Sequence, residues 1–98
     1  MAGTFDGTEH RHAYPRLYEL MCALQGRRFV TELQASPLAV IVTRADDPAG
    51  ARQMVTCKPR VADQDRMWFF DASGEPIAEA EHVTDAAVII AGYLAPAP

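Results

Sequence analysis

Apolar residues in the stretch YPRLYELMCALQ, residues 14–25, fall at Tyr14, Leu17, Tyr18, Met21 and Leu24. That i, i+3, i+4, i+7 spacing predicts an amphipathic helix. Pro15 suits its first turn and Gly26 its C-terminal stop. Arg27 and Arg28 follow at the negative end of the helix dipole, where positive charge is favourable. From Phe29 the period changes to two. Phe29, Thr31, Leu33 and Ala35 alternate with Val30, Glu32 and Gln34, which predicts a strand broken by Ser36 and Pro37. LAVIVTRA, residues 38–45, is almost wholly apolar, the pattern of a central strand covered on both faces. DDPAG at 46–50 has turn composition. ARQMVTCKP at 51–59 predicts a third strand that Pro59 ends or places at an edge. VADQD at 61–65 is the next turn, and RMWFF at 66–70 a fourth strand.

Residues 71–82 contain Gly74 and Pro76 and read as irregular. Thr84 is placed to cap a helix over 85–95, DAAVIIAGYLA, with Asp85 in its first turn. The VII run also allows a fifth strand over 86–93, but the alanines and the cap favour helix. Val83, Ala87, Ile90 and Leu94 form one apolar stripe, and Val88 and Ile89 flank it. The expected fold is α+β: an N-terminal helix, an antiparallel four-stranded meander and a C-terminal helix, as a two-layer sandwich. Residues 1–12 are polar and read as a flexible N-terminal arm, ahead of a single domain over 13–98.

Trp68, Phe69 and Phe70 stand in a row. Neighbouring side chains of a strand point to opposite faces, so three aromatics cannot share one core. With both helices on one face, the other face would carry residues such as Ile41, Val55, Trp68 and Phe70, or their alternates. Contiguous apolar surface of that size is rarely left in water. Val88 adds to it from the last helix. These five residues are the candidate interface, and a homodimer or another protein partner is the expected cover. A strongly curled sheet that closes on itself is the other solution.

The chain has 98 residues, which is one domain's length. Its net charge of −4 argues against non-specific nucleic-acid binding. Residues 1–60 hold eight Lys/Arg and six Asp/Glu, whereas 61–98 hold Arg66 against seven acidic residues. No apolar run approaches the length of a membrane span, and the N-terminus lacks the apolar core of a signal peptide. A cytoplasmic protein is expected. Cys22 and Cys57 are too few for a disulfide framework and read as buried thiols. The His10–His12 pair and His82 do not have metal-ligand spacing. Asp63, Asp65 and Asp71 read as loop-shaping. Arg44, Arg52, Lys58 and Arg60 cluster around strands two and three. They can hold a phosphate or a carboxylate, or balance the acidic 63–85 segment across the sheet as cross-strand pairs.

MWFFDASGEPIAEAEHVTDAAVIIAGYLA resembles the ending of a group of small uncharacterised α-β-meander-α proteins of GC-rich bacteria. The likeness rests on Trp68, Gly74, Pro76, Ile77, Ala78 and the helix 85–95, and implies no particular activity. PLAVIVTRADDPAGARQMVTCKPRVADQDRMWFFD also resembles the opening hairpins of split-barrel flavin-binding proteins related to pyridoxamine phosphate oxidase. That likeness implies FMN as cofactor, Arg52, Lys58 and Arg60 toward the flavin phosphate, a dimeric site and an oxidoreductase. The element order also evokes double-stranded RNA-binding domains, but the last helix has no lysine for phosphate contacts. The first expectation is a non-enzymatic binding or adaptor protein acting through protein–protein association. The alternative is a small flavin- or ligand-binding protein.

Overall fold

The computed structural model describes residues 7–35 and 37–95. The chain runs α1 (Gly7–Gln25), β1 (Phe29–Ala35), β2 (Leu38–Arg44), β3 (Asp47–Arg60), a short 3-10 turn (Val61–Asp63), β4 (Arg66–Phe70), β5 (Pro76–Glu79) and α2 (Val83–Tyr93). The strands form one antiparallel sheet in the order β1-β2-β3-β4-β5. Both helices supply one core with the sheet. Leu17, Leu20 and Leu24 of α1 and Ala86, Ala87 and Ile90 of α2 meet Val40, Val42, Val55, Cys57, Phe69 and Ala78. The α+β class and two-layer order are as expected. No helix among the described residues is long and apolar enough to cross a membrane.

The meander has five strands, not four. PIAE pairs with β4 inside the segment expected to be irregular. Pro76 is tolerated because β5 is an edge, where a missing N–H breaks no internal ladder. β3 also begins earlier than expected, at Asp47. Thr43 pairs with Arg52 but Arg44 with Asp47, so residues 48–51 are extra on β3. This bulge has turn composition but stays within the strand.

α1 begins at Gly7, so Pro15 lies inside the helix instead of in its first turn. Residues 7–12, expected in an arm, are helical; residues 1–6 of that arm lie outside the described residues. The buried stripe of α1 is Ala13, Leu17, Leu20 and Leu24, and the expected stripe members Tyr14 and Tyr18 are exposed. The stripe is centred between Leu17 and Leu20, which leaves the two tyrosines on its flank. α2 starts at Val83 with His82 at its N-cap and no side-chain cap. Thr84 therefore lies in the first turn with Asp85.

Candidate interaction surface

Pairing register decides which aromatic faces where. Cys57 pairs with Phe69, and Phe69 with Ala78. All three belong to the helix-side core, and Phe69 is completely buried. Trp68 and Phe70 therefore project from the opposite face, with Ile41 and Met54, themselves cross-strand partners. The aromatic row is thus divided between two environments, as alternation requires. Val55 is not on the outer face. It pairs with Val40 and is completely buried beneath the helices, so it belongs to the core and is no interface candidate in this fold.

The outer face of β3 and β4 is covered in part by its own cations. Lys58 Nζ lies 4.8 Å from the centroid of the Phe70 ring, and Arg60 Cζ 4.4 Å from that of Trp68. Yet the directly opposed pairs are Lys58 with Trp68 and Arg60 with Arg66. Both cations lean one pair along the ladder to reach a diagonal ring. The shift also relieves the like-charge pairing of Arg60 with Arg66, which turns instead to Glu79, 3.2 Å away. Trp68 Nε1 donates to Asp63 Oδ2 at 2.8 Å, so the indole's polar end is satisfied while its ring is covered.

The four basic residues that the sequence grouped do not converge. Arg44 makes a two-point contact to Asp46, Nε to Oδ1 at 2.9 Å and Nη2 to Oδ2 at 2.6 Å. This holds the Asp46 carboxyl below its ordinary range. Arg52 is exposed and opposes Thr43, beside a shallow depression lined by Val30, Glu32 and Ile41. Lys58 and Arg60 lie on aromatic rings.

Around the β5 edge the structure brings Trp68 and Val88 together. Trp68, Ile77, Val88 and Ile89 line an open groove of about 410 Å³, with Glu79, His82 and Asp85 among its walls. His82 Nδ1 stands 3.8 Å from Glu79 Oε2 and 4.0 Å from Asp85 Oδ2. Val88 is 50% exposed, off the buried stripe of α2 as its position in the helix implies. Phe70 and Ile41 are not among the groove's lining; Phe70 is only 7% exposed within one copy, beneath Lys58, and Ile41 is half-buried. Ile77 was not among the interface candidates. It belongs to the core and is only 8% exposed, and it borders the groove beside the β4–β5 register slip between Phe69 and Phe70.

Among the described residues no polar or charged side chain is buried, and no three His, Cys, Asp or Glu side chains converge as metal ligands. Cys57 is buried, and desolvation pushes its thiol up to about 12, against a weaker opposite pull from Arg16. A thiol in that state is not a nucleophile at neutral pH. Cys22, expected to be buried as well, is exposed on α1. Asp71 Oδ1 accepts from the Ser73 hydroxyl and from the Ser73 and Glu75 amides. The aspartates thus shape turns, and Asp63 also fixes Trp68.

No family model, no curated protein and no solved structure matches the chain.

Proposed function

We propose that the protein is a non-enzymatic binding module that acts through protein–protein association, with a second copy of itself and with another protein. The observation that carries this reading is the groove of Trp68, Ile77, Val88 and Ile89. It combines one aromatic anchor with aliphatic side chains and a charged border, the make-up of interface cores and their rims. Trp68 is already oriented by Asp63 and Arg60, so little freedom is lost when a partner covers it. The flavin reading would ask Arg52, Lys58 and Arg60 to converge on one phosphate. Their separation along β3, with two of them on aromatic rings, supports the association reading instead.

A photo-crosslinking amino acid at Val88, introduced in living cells, tests this. The expected result is one or a few discrete protein adducts, absent when the same group replaces the exposed Thr84. Equal, diffuse labelling from both positions would overturn the reading. So would flavin that co-purifies with the wild-type chain and quenches Trp68 fluorescence.

A further inference from the structure

The two edges of the sheet are built differently. β5 is four residues long, contains Pro76 and lies beside a register slip, and its Glu79 carbonyl already accepts from the His82 amide at 2.9 Å. These are the devices that stop an edge from pairing. β1 has none of them. It is seven residues long, has no proline, and keeps one uninterrupted register with β2 from Phe29↔Arg44 to Ala35↔Leu38. Among the described residues it pairs with β2 alone. The Ala45 amide donates to the Arg28 carbonyl at 3.2 Å, which sets the phase of the ladder. Alternation then turns the N–H and C=O of Val30, Glu32 and Gln34 toward β2. Those of Phe29, Thr31, Leu33 and Ala35 point out from the edge.

We infer that two copies join by antiparallel pairing of their β1 edges about a two-fold axis at Thr31, making one continuous sheet from two five-stranded ones. The inference rests on the self-association part of the proposed function and names its interface. Charge selects the register. Full overlap of the two strands would centre the axis on Glu32 and set two carboxylates directly opposite, which is unfavourable. With the axis at Thr31, Glu32 opposes the second copy's Val30, and the two Glu32 carboxylates move from directly opposite to diagonal positions. The second copy's Arg28, one residue before β1 in the preceding turn at φ 69°, flanks the other diagonal of Glu32. Val30 is 50% exposed in one copy alone. On the helix side, Phe29 opposes the second copy's Leu33. Both are half-buried and packed against the core, and each would cover the other's remaining surface. Thr31 meets its own copy, a favourable cross-strand pair. Gln25 Nε2 donates to Thr31 Oγ1 at 2.9 Å, which holds that side chain on the α1 side. Glu32, Arg27 and Arg28 have no ion-pair partner among the described residues, and the dimer gives Glu32 and Arg28 one.

Disulfide trapping tests the register in a Cys22→Ser background. Directly opposed, hydrogen-bonded residues have Cα atoms about 5.5 Å apart, within disulfide range. Thr31→Cys should therefore oxidise to a covalent dimer, while Glu32→Cys and Leu33→Cys should not. In sedimentation, Glu32→Arg should weaken the dimer about tenfold by reversing two diagonal pairs, and Arg28→Glu with Glu32→Arg should restore it. A wild-type chain that stays monomeric at all concentrations would overturn self-association itself. A dimer that cross-links at Glu32, Leu33 or Val88 in place of Thr31 would leave self-association standing and overturn this interface. Thr31→Pro removes an outward N–H and the hydroxyl that Gln25 holds, neither of which serves the β1–β2 ladder, so a folded Thr31→Pro chain that still dimerises would also overturn it.

Discussion

Arg60 lies over Trp68, its guanidinium carbon 4.4 Å from the ring centroid, on the face of the sheet that the helices do not cover. Asp63, at the end of the 3-10 turn, accepts from the same indole. The strand end, the turn and the next strand are therefore tied by one aromatic ring. The Gln64–Asp65 corner that joins them uses two non-glycine residues in the left-handed region, at φ 55° and 61°. Side-chain contacts across the corner offset that local backbone cost.

Replacing Arg60 with Met keeps the apolar stem over the ring and removes the charge. Stability should fall by about 0.5–1 kcal/mol in urea unfolding, the range of exposed cation–π pairs. Trp68 is the chain's single tryptophan, so its emission reports the change directly. Asp63→Ala should shift that emission further, because the indole N–H is then left to water. Identical curves for wild type and Arg60→Met would show that the stacking contributes nothing.

Phe69 should be the costliest aromatic to lose. It is completely buried between Cys57 and Ala78 and belongs to the shared core. Phe69→Ala should cost about 3–5 kcal/mol, a large share of the roughly 5–15 kcal/mol that holds a domain of this kind together. Trp68→Ala, on the outer face, should cost clearly less. The reverse order in chemical denaturation would mean that the faces are assigned the wrong way round.

The fold was legible where a strong period runs unbroken. Leu17 and Leu24, the alternation over 29–35 and the apolar run of β2 all announced their elements. The division of Phe69 from Trp68 and Phe70 also followed from alternation alone. Short or interrupted elements were not legible. PIAE is too short to show a period, and Gly74 and Pro76 beside it signal a break. Residues 7–12 carry no apolar stripe, so only continuity with the turn at Ala13 and Leu17 reveals their helix. Val55 could not be assigned to a face, because a one-residue uncertainty in register moves a side chain across the sheet. The basic cluster failed for a related reason. Closeness in sequence along a strand is distance in space, and Arg52 and Arg60 lie toward opposite ends of the paired part of β3.

The two cysteines should differ sharply in reactivity. Cys22 is exposed and should alkylate within minutes at neutral pH, whereas Cys57 should react only on unfolding. Burial raises the Cys57 thiol from about 9.0 to about 12 in the folded chain. A group raised in this way contributes stability in full below its unfolded value and loses it as pH rises toward the folded one. Between pH 9.0 and about 12 the wild type should therefore lose stability that Cys57→Ala does not lose. Parallel curves for the two proteins across that window would contradict the buried thiol.

Acid should act in part through Asp71. Its carboxylate accepts from the Ser73 hydroxyl first, and then from the Glu75, Ser73 and Gly74 backbone, which hold its pKa below 3.8. A depressed carboxylate contributes stability above its unfolded value and loses it as pH falls through the folded one. Asp71→Asn keeps the turn's shape but cannot titrate. Its melting temperature should be lower than wild type at neutral pH, and the gap should close below pH 3.8. A gap that stays constant on acidification would place the contribution in the turn's shape and not in its charge.

The same substitution should have opposite signs at two glycines. Gly74 sits at φ +90° in the turn between β4 and β5, with no atom within 4 Å of an added Cβ. Space is therefore not the obstacle there. The cost of Gly74→Ala is the left-handed backbone, about 1–2 kcal/mol. Gly92 lies inside α2, has no positive φ, and also has open space around an added Cβ. Alanine there removes conformational freedom from the unfolded chain and favours helix by about 0.5–1 kcal/mol. For a domain near 100 residues each kcal/mol moves the melting temperature by about 4–8 °C. Gly92→Ala should melt several degrees above wild type and Gly74→Ala several degrees or more below it. If Gly92→Ala melts lower, an alanine methyl at the end of α2 meets something that one copy of the chain does not contain, and the surface beside Val88 and Ile89 is already in contact with a partner.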